Sequence, residues 1–236
     1  ALGDLSKSRL EIFLKNWVDT FIKENLEDLL NLNKESVNNK YIRALMFQLF
    51  ENNGVIKREL VNEIVKSIKT DERKKIWGLG IKIGRYHIYL PKMLKPKAVS
   101  LRISLWRLFY QLASNQNIPR SGLNYLIDKK YNKNFLLLCG FEKFKNHYVR
   151  IDILEKLFIK ILDKTEKRKF KIDAEMINLI GCNKENFYSL MLSMNYKKSK
   201  EIDTYFYTGE VKSKNKFINI NKNENPFKKL LGLNLK

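Results

Sequence analysis

Three times along this 236-residue chain a helical pattern gives way to a short alternating stretch of the kind that forms a hairpin. The first is Gly78-Leu-Gly-Ile-Lys-Ile-Gly-Arg-Tyr-His-Ile-Tyr-Leu-Pro91, which pivots at Gly84 and closes on a proline. The second spans Cys139 to Ile151 and the third Asn195 to Tyr207. They begin near Gly80, Gly140 and Asn195, spacings of 60 and 55 residues, which predicts a repeated small helix–hairpin unit. Three helices followed by a hairpin is the order of a winged helix-turn-helix. The expected fold class is therefore mainly α (α+β), a helical segment followed by two or three winged-helix-like helix plus β-hairpin units.

The helices before the first hairpin are read from period and punctuation. Residues 8–32 form an amphipathic helix or helix pair whose stripe, Leu10, Phe13, Leu14, Trp17, Phe21, Leu29 and Leu30, is expected in the core. Residues 40–53 form the next helix, stopped by Asn53-Gly54, and residues 57–69 the third. Thr70 caps a short helix to about Trp77, with Asp71 and Glu72 in its first turn, where the dipole favours acids. Helices follow at 97–113, 121–138 and 152–163, and two short ones within 173–194. The expected organisation is an N-terminal helical segment (1–37), a winged-helix-like unit with a basic hairpin (38–97), a second unit (98–163), a third (164–208) and a mobile basic tail (209–236).

Charge narrows the function. The net charge is +21, and Lys outnumbers Arg 36 to 10, the codon bias of an AT-rich genome. That bias explains Lys over Arg but not base over acid. Residues 1–70 carry 11 basic and 10 acidic groups, whereas residues 71–110 carry 10 and 2. Between Glu72 and Asp128 no acid occurs across 55 positions, yet the stretch holds 11 cations, with Trp77, Tyr86, Tyr89 and Trp106 among them. An acid-free basic tract with interleaved aromatics points to a phosphate-backbone surface. With hydrophobic residues at 44% a core is expected, and no apolar run approaches the roughly 18 residues of a membrane span. No membrane partner is expected, and two cysteines without CxxC spacing suit a reducing cytoplasmic setting.

Catalytic signatures are missing from the sequence. No GxxxxGK[ST] loop occurs, and Asp71-Glu72-Arg73 lacks the strand and final residue of a helicase acidic motif. His87 and His147 stand apart, outside any HExxH, so packing or phosphate contact is the expectation for both. No catalytic residue, metal or cofactor is assigned to this chain.

The hairpins also carry a family resemblance. Gly84-Arg-Tyr-His-Ile-Tyr-Leu-Pro-Lys-Met-Leu-Lys-Pro96 resembles a signature in the C-terminal region of alphaproteobacterial superfamily-two helicases of the DEAD/DEAH type. These are related to the mitochondrial degradosome RNA helicase. Phe47-Gln-Leu-Phe-Glu-Asn-Asn-Gly54, Gly140-Phe141, Val149-Arg-Ile-Asp-Ile-Leu-Glu-Lys-Leu157 and Ile177-Asn-Leu-Ile-Gly-Cys-Asn-Lys-Glu-Asn-Phe187 resemble the surrounding blocks. The chain departs from the pattern at Met93, where Leu is usual, and at Asn195, where Gly is usual. The resemblance implies two ATP-binding motor domains upstream, which would fit the opening at Ala1 and the missing phosphate loop. ATP and Mg would then belong to that parent helicase.

The expected function is non-catalytic: an RNA-favouring, single-strand-binding accessory region beside a helicase motor. The expected nucleic-acid-binding residues are Lys82, Arg85, His87, Tyr89, Lys92, Lys95, Lys97 and Arg102. Alternation from Gly84 puts Arg85, His87 and Tyr89 on a solvent face, and Tyr86, Ile88 and Leu90 against the helices. Two other readings stand. A stand-alone DNA-binding winged-helix protein would need a base-reading helix, which the acid-bearing 57–69 does not supply. A protein-docking module would use helix 8–32 against the helicase motor or a nuclease partner.

Overall fold

The computed structural model of the chain describes residues 4–34, 37–110, 117–127 and 131–208; the expected tail, 209–236, lies outside them. Helices dominate, joined by small antiparallel three-stranded sheets, as the expected α+β class requires. The chain divides into two compact units.

The first unit starts with α1 (Asp4–Lys34), a single unbroken helix. It continues through α2 (Lys40–Glu51), β1 (Val55–Lys57), α3 (Arg58–Lys66), α4 (Thr70–Gly78), β2 (Lys82–Ile83) and β3 (His87–Tyr89). A 3-10 turn (Pro91–Leu94) and α5 (Pro96–Tyr110) complete it. Asn39 caps α2 by accepting from the Tyr41 and Ile42 amides, and binds Glu72 through its own amide at 2.7 Å. The α2–β1 corner needs glycine. Gly54 has φ +83°, and a Cβ there would meet the Met93 Cγ at 2.8 Å. Leu26, Leu29, Ile42, Leu45, Leu49, Ile76, Ile88, Leu90 and Met93 pack together as this unit's core.

Only part of the α1 stripe joins that core. Ile22, Leu26, Leu29 and Leu30 are buried, whereas Leu10, Phe13, Leu14 and Trp17 are exposed. The period revealed an apolar face but not how much of its length is covered.

The second unit takes Arg85–His87 together with the elements from β4 to β9. These are β4 (Tyr125–Ile127), α6 (Lys133–Leu138), β5 (Phe141–Phe144), β6 (His147–Arg150), α7 (Ile151–Asp163), β7 (Lys169–Lys171), α8 (Ala174–Ile180), α9 (Lys184–Ser193), β8 (Tyr196–Lys198) and β9 (Thr204–Tyr207). Asn132, Asp173 and Asn183 cap α6, α8 and α9, and Gly181, with φ +77°, ends α8. Leu154, Leu157, Met176, Phe187, Leu190 and Tyr205 lie in its core.

The sheet orders are β1-β3-β2, β4-β6-β5 and β7-β9-β8, so in each the last strand sits between the other two. One order of elements produces all three: helix, strand, one or two described helices, hairpin. The opening strands β1, β4 and β7 each have three residues, too few to show alternation, and the sequence reading did not find them. Residues 121–138, expected as one helix, hold β4 as well as α6. Helix α7 opens the third repeat, whereas the sequence reading closed the second unit with it. No helix among the described residues is long and apolar enough to cross a membrane.

Candidate nucleic-acid interface

Cations of the first unit divide into buried and exposed sets, and the division decides which can meet a ligand. Arg102 belongs to the buried set, with no exposed surface at all. Its Nη1 donates to the Asn53 carbonyl at 2.6 Å and its Nη2 to the Met93 carbonyl at 2.5 Å. It is a fork that ties the α2–β1 corner and the 3-10 turn to α5. The expectation that Arg102 meets phosphate is corrected: its donors are engaged inside the unit.

The hairpin expectation also changes. His87 and Tyr89 are buried, not solvent-facing. β3 is the central strand of its sheet, pairing Lys82 with Tyr89 and Ile83 with Ile88 across to β2, with β1 on its other side. A central strand covered on both faces has no solvent side, so alternation cannot assign one. Tyr86 is half-buried in the second unit, edge-on to Phe144 and Phe158. Desolvation, with Tyr196 beside it, holds its phenol far above the usual range.

The residues 85–87 meet two glutamates that the sequence reading missed. Glu155 accepts from the backbone amides of Arg85 at 2.6 Å and of Tyr86 and His87 at 2.9 Å each. The His87 ring shares a 2.8 Å hydrogen bond through Nε2 with Glu142. A signal existed for Glu155: it lies one turn beyond Ile151, on the apolar stripe of α7, where a charge needs partners. His147 is likewise engaged, with Tyr125 Oη 2.6 Å from Nδ1 and Ser189 Oγ 3.0 Å from Nε2. Both histidines are buried packing residues: both ring nitrogens of His147 have partners, whereas His87 is held through Nε2 and its buried Nδ1 has no hydrogen-bond partner among the described residues.

Four expected residues stay exposed: Lys82 on β2, Lys92 on the 3-10 turn, Lys95 just after it and Lys97 at the start of α5. Lys92 is tied to Asp28 at 2.7 Å, which raises its ammonium pKa. Lys82, Lys95 and Lys97 form no ion pair among the described residues. Lys97 sits at the α5 N-terminus, whose first turn carries no acid. A cation there opposes the helix dipole, and both attract an anion. Arg85 is half-buried, its guanidinium 5.8 Å from the centre of the Phe158 ring.

Helix α4 adds cations that were not assigned. Arg73, Lys74 and Lys75 are all exposed on it, while Ile76 anchors it in the core. It is also the helix immediately before the β2–β3 hairpin. Among the described residues no group of three His, Cys, Asp or Glu side chains is placed to hold a metal ion. Burial pushes the Cys182 thiol up to about 11, which leaves it protonated and unreactive at neutral pH. No family model, curated protein or solved structure matches the chain.

Proposed function

We propose that the chain is a non-catalytic nucleic-acid-binding region, favouring single-stranded RNA, built from winged-helix-like repeats. The helix–strand–helix–helix–hairpin order of α2–β3 and α7–β9, each sheet with its last strand in the middle, supports the winged-helix reading. One observation carries the function: the first unit's exposed cations on α4, β2 and the start of α5 come from an acid-free stretch of sequence and form no ion pair among the described residues. Fixed, uncompensated cations attract a polyanion by releasing its counterions. The Gly84–Pro96 resemblance supports placing this region beside an ATP-dependent helicase motor, where it would hold a strand while the motor moves.

Affinity for a single-stranded RNA oligonucleotide, read by fluorescence anisotropy, is expected to fall steeply with salt. Each phosphate neutralised contributes roughly −0.7 to the slope of log K against log salt. A flat response between low and moderate salt removes the reading. Duplex DNA binding more tightly than RNA at every salt concentration would favour the DNA-binding alternative.

A second reading has its own observation. The exposed apolar residues Leu10, Phe13, Leu14 and Trp17 on α1 suit docking on another protein, such as the helicase motor or a nuclease. Both roles fit one chain, since α1 and the cationic elements do not share residues.

A further inference from the structure

Trp77 is 67% exposed, an unusual position for the largest apolar side chain in the sequence. Its helix, α4, explains the placement. Thr70, Arg73, Lys74 and Trp77 fall at i, i+3, i+4 and i+7, so they form one strip along the helix, and all four are exposed. Ile76 lies about 100° round the helix from Trp77 and is buried, which fixes the strip toward solvent. Glu72 is off the strip and engaged with Asn39. Arg73 and Lys74 form no ion pair, and the indole makes no ring contact within the described residues. The strip therefore presents an open aromatic face with a cation three and four residues before it, and no acid among them.

We infer that Trp77 is a base-stacking platform, on which one unpaired base of a single strand lies flat while Arg73 and Lys74 take the neighbouring phosphates. The inference rests on the nucleic-acid reading above and sharpens it to a residue and a strand type. A paired base already has both faces covered by its neighbours in the duplex, so an indole gains a stacking partner only from a splayed base. Stacking is indifferent to base identity, so the strip favours single strands without reading sequence.

The test uses the full chain and a 12-nucleotide oligouridine. In a W17F/W106F variant Trp77 is the sole tryptophan, and its emission is followed while anisotropy of the labelled RNA is read in parallel. Quenching of Trp77 that saturates with the anisotropy change is expected, and little quenching with duplex RNA. W77A should bind the single strand about 10-fold more weakly, with W77F retaining most of the affinity. Because Trp77 is exposed, W77A keeps the fold, so its affinity decides the matter even where the double variant fails to fold. Normal RNA binding with unquenched Trp77, or W77A binding like wild type, overturns the stacking role and leaves the nucleic-acid reading standing. No RNA binding in either readout overturns both.

Discussion

Replacing Arg102 by Met is expected to destabilise the first unit by about 3–5 kcal/mol, read as a fall in the urea midpoint at unchanged slope. Arg102 is completely buried, and its two short bonds to Asn53 and Met93 hold segments far apart in sequence against α5. Bonds to a charged donor contribute about 1.5–3 kcal/mol each. Met fills similar space but leaves the buried Met93 carbonyl and the half-buried Asn53 carbonyl without these donors. Arg102→Lys should recover only part of the loss, because a single ammonium cannot fork between two carbonyls as guanidinium does. Were Arg102 a phosphate contact instead, Met would lower RNA affinity with little change in stability. The two roles therefore separate in one pair of measurements.

Glu155→Ala is expected to cost the second unit about 3–5 kcal/mol. One carboxylate accepts three consecutive amides, Arg85, Tyr86 and His87. The total stays below three full charged bonds because Arg85 and Tyr86 are half-buried, where water can restore part of the hydrogen bonding. Hydrogen exchange gives the local reading: those three amides should lose protection together. Protection that persists in the variant would show that Glu155 is not what holds them.

Much of the architecture was legible because turns announce themselves. Gly54 and Asn195 both adopt positive φ, and Asn-Gly at 53–54 and the glycine and asparagine hairpin starts marked the corners correctly. The opening strands were hidden because three residues carry no period. On α1, periodicity identified an apolar face, but burial depends on whether another element reaches it, which the sequence near Leu10 and Trp17 does not encode.

Surface exposure was legible for the lysines and misjudged for Arg102, His87 and Tyr89. Lysines 82, 92, 95 and 97 remain at the surface because a strongly hydrated ammonium is costly to bury. Arg102 and His87 carry the same polar signal in sequence, yet each finds partners that the signal does not name: the Asn53 and Met93 carbonyls for one, Glu142 and Glu155 for the other. Composition reports that a charge exists; only the fold reports what it touches. Arg73, Lys74 and Lys75 of α4 belong to the same acid-free tract, on the helix expected to run from Thr70 to about Trp77, and their exposure emerges only from the burial of Ile76 beside them.

The central claim is that the first unit's unpaired surface cations bind nucleic-acid backbone. Its most direct test is the salt dependence of single-stranded RNA affinity for wild type and for a Lys82→Ala, Lys95→Ala, Lys97→Ala triple variant. All three lysines are exposed and form no ion pair among the described residues, so the fold should be nearly unchanged. At roughly −0.7 per phosphate, losing three contacts should make the slope shallower by about 2, with affinity reduced at low salt irrespective of RNA sequence. A triple variant with the wild-type slope and affinity, and its fold intact, would contradict the claim.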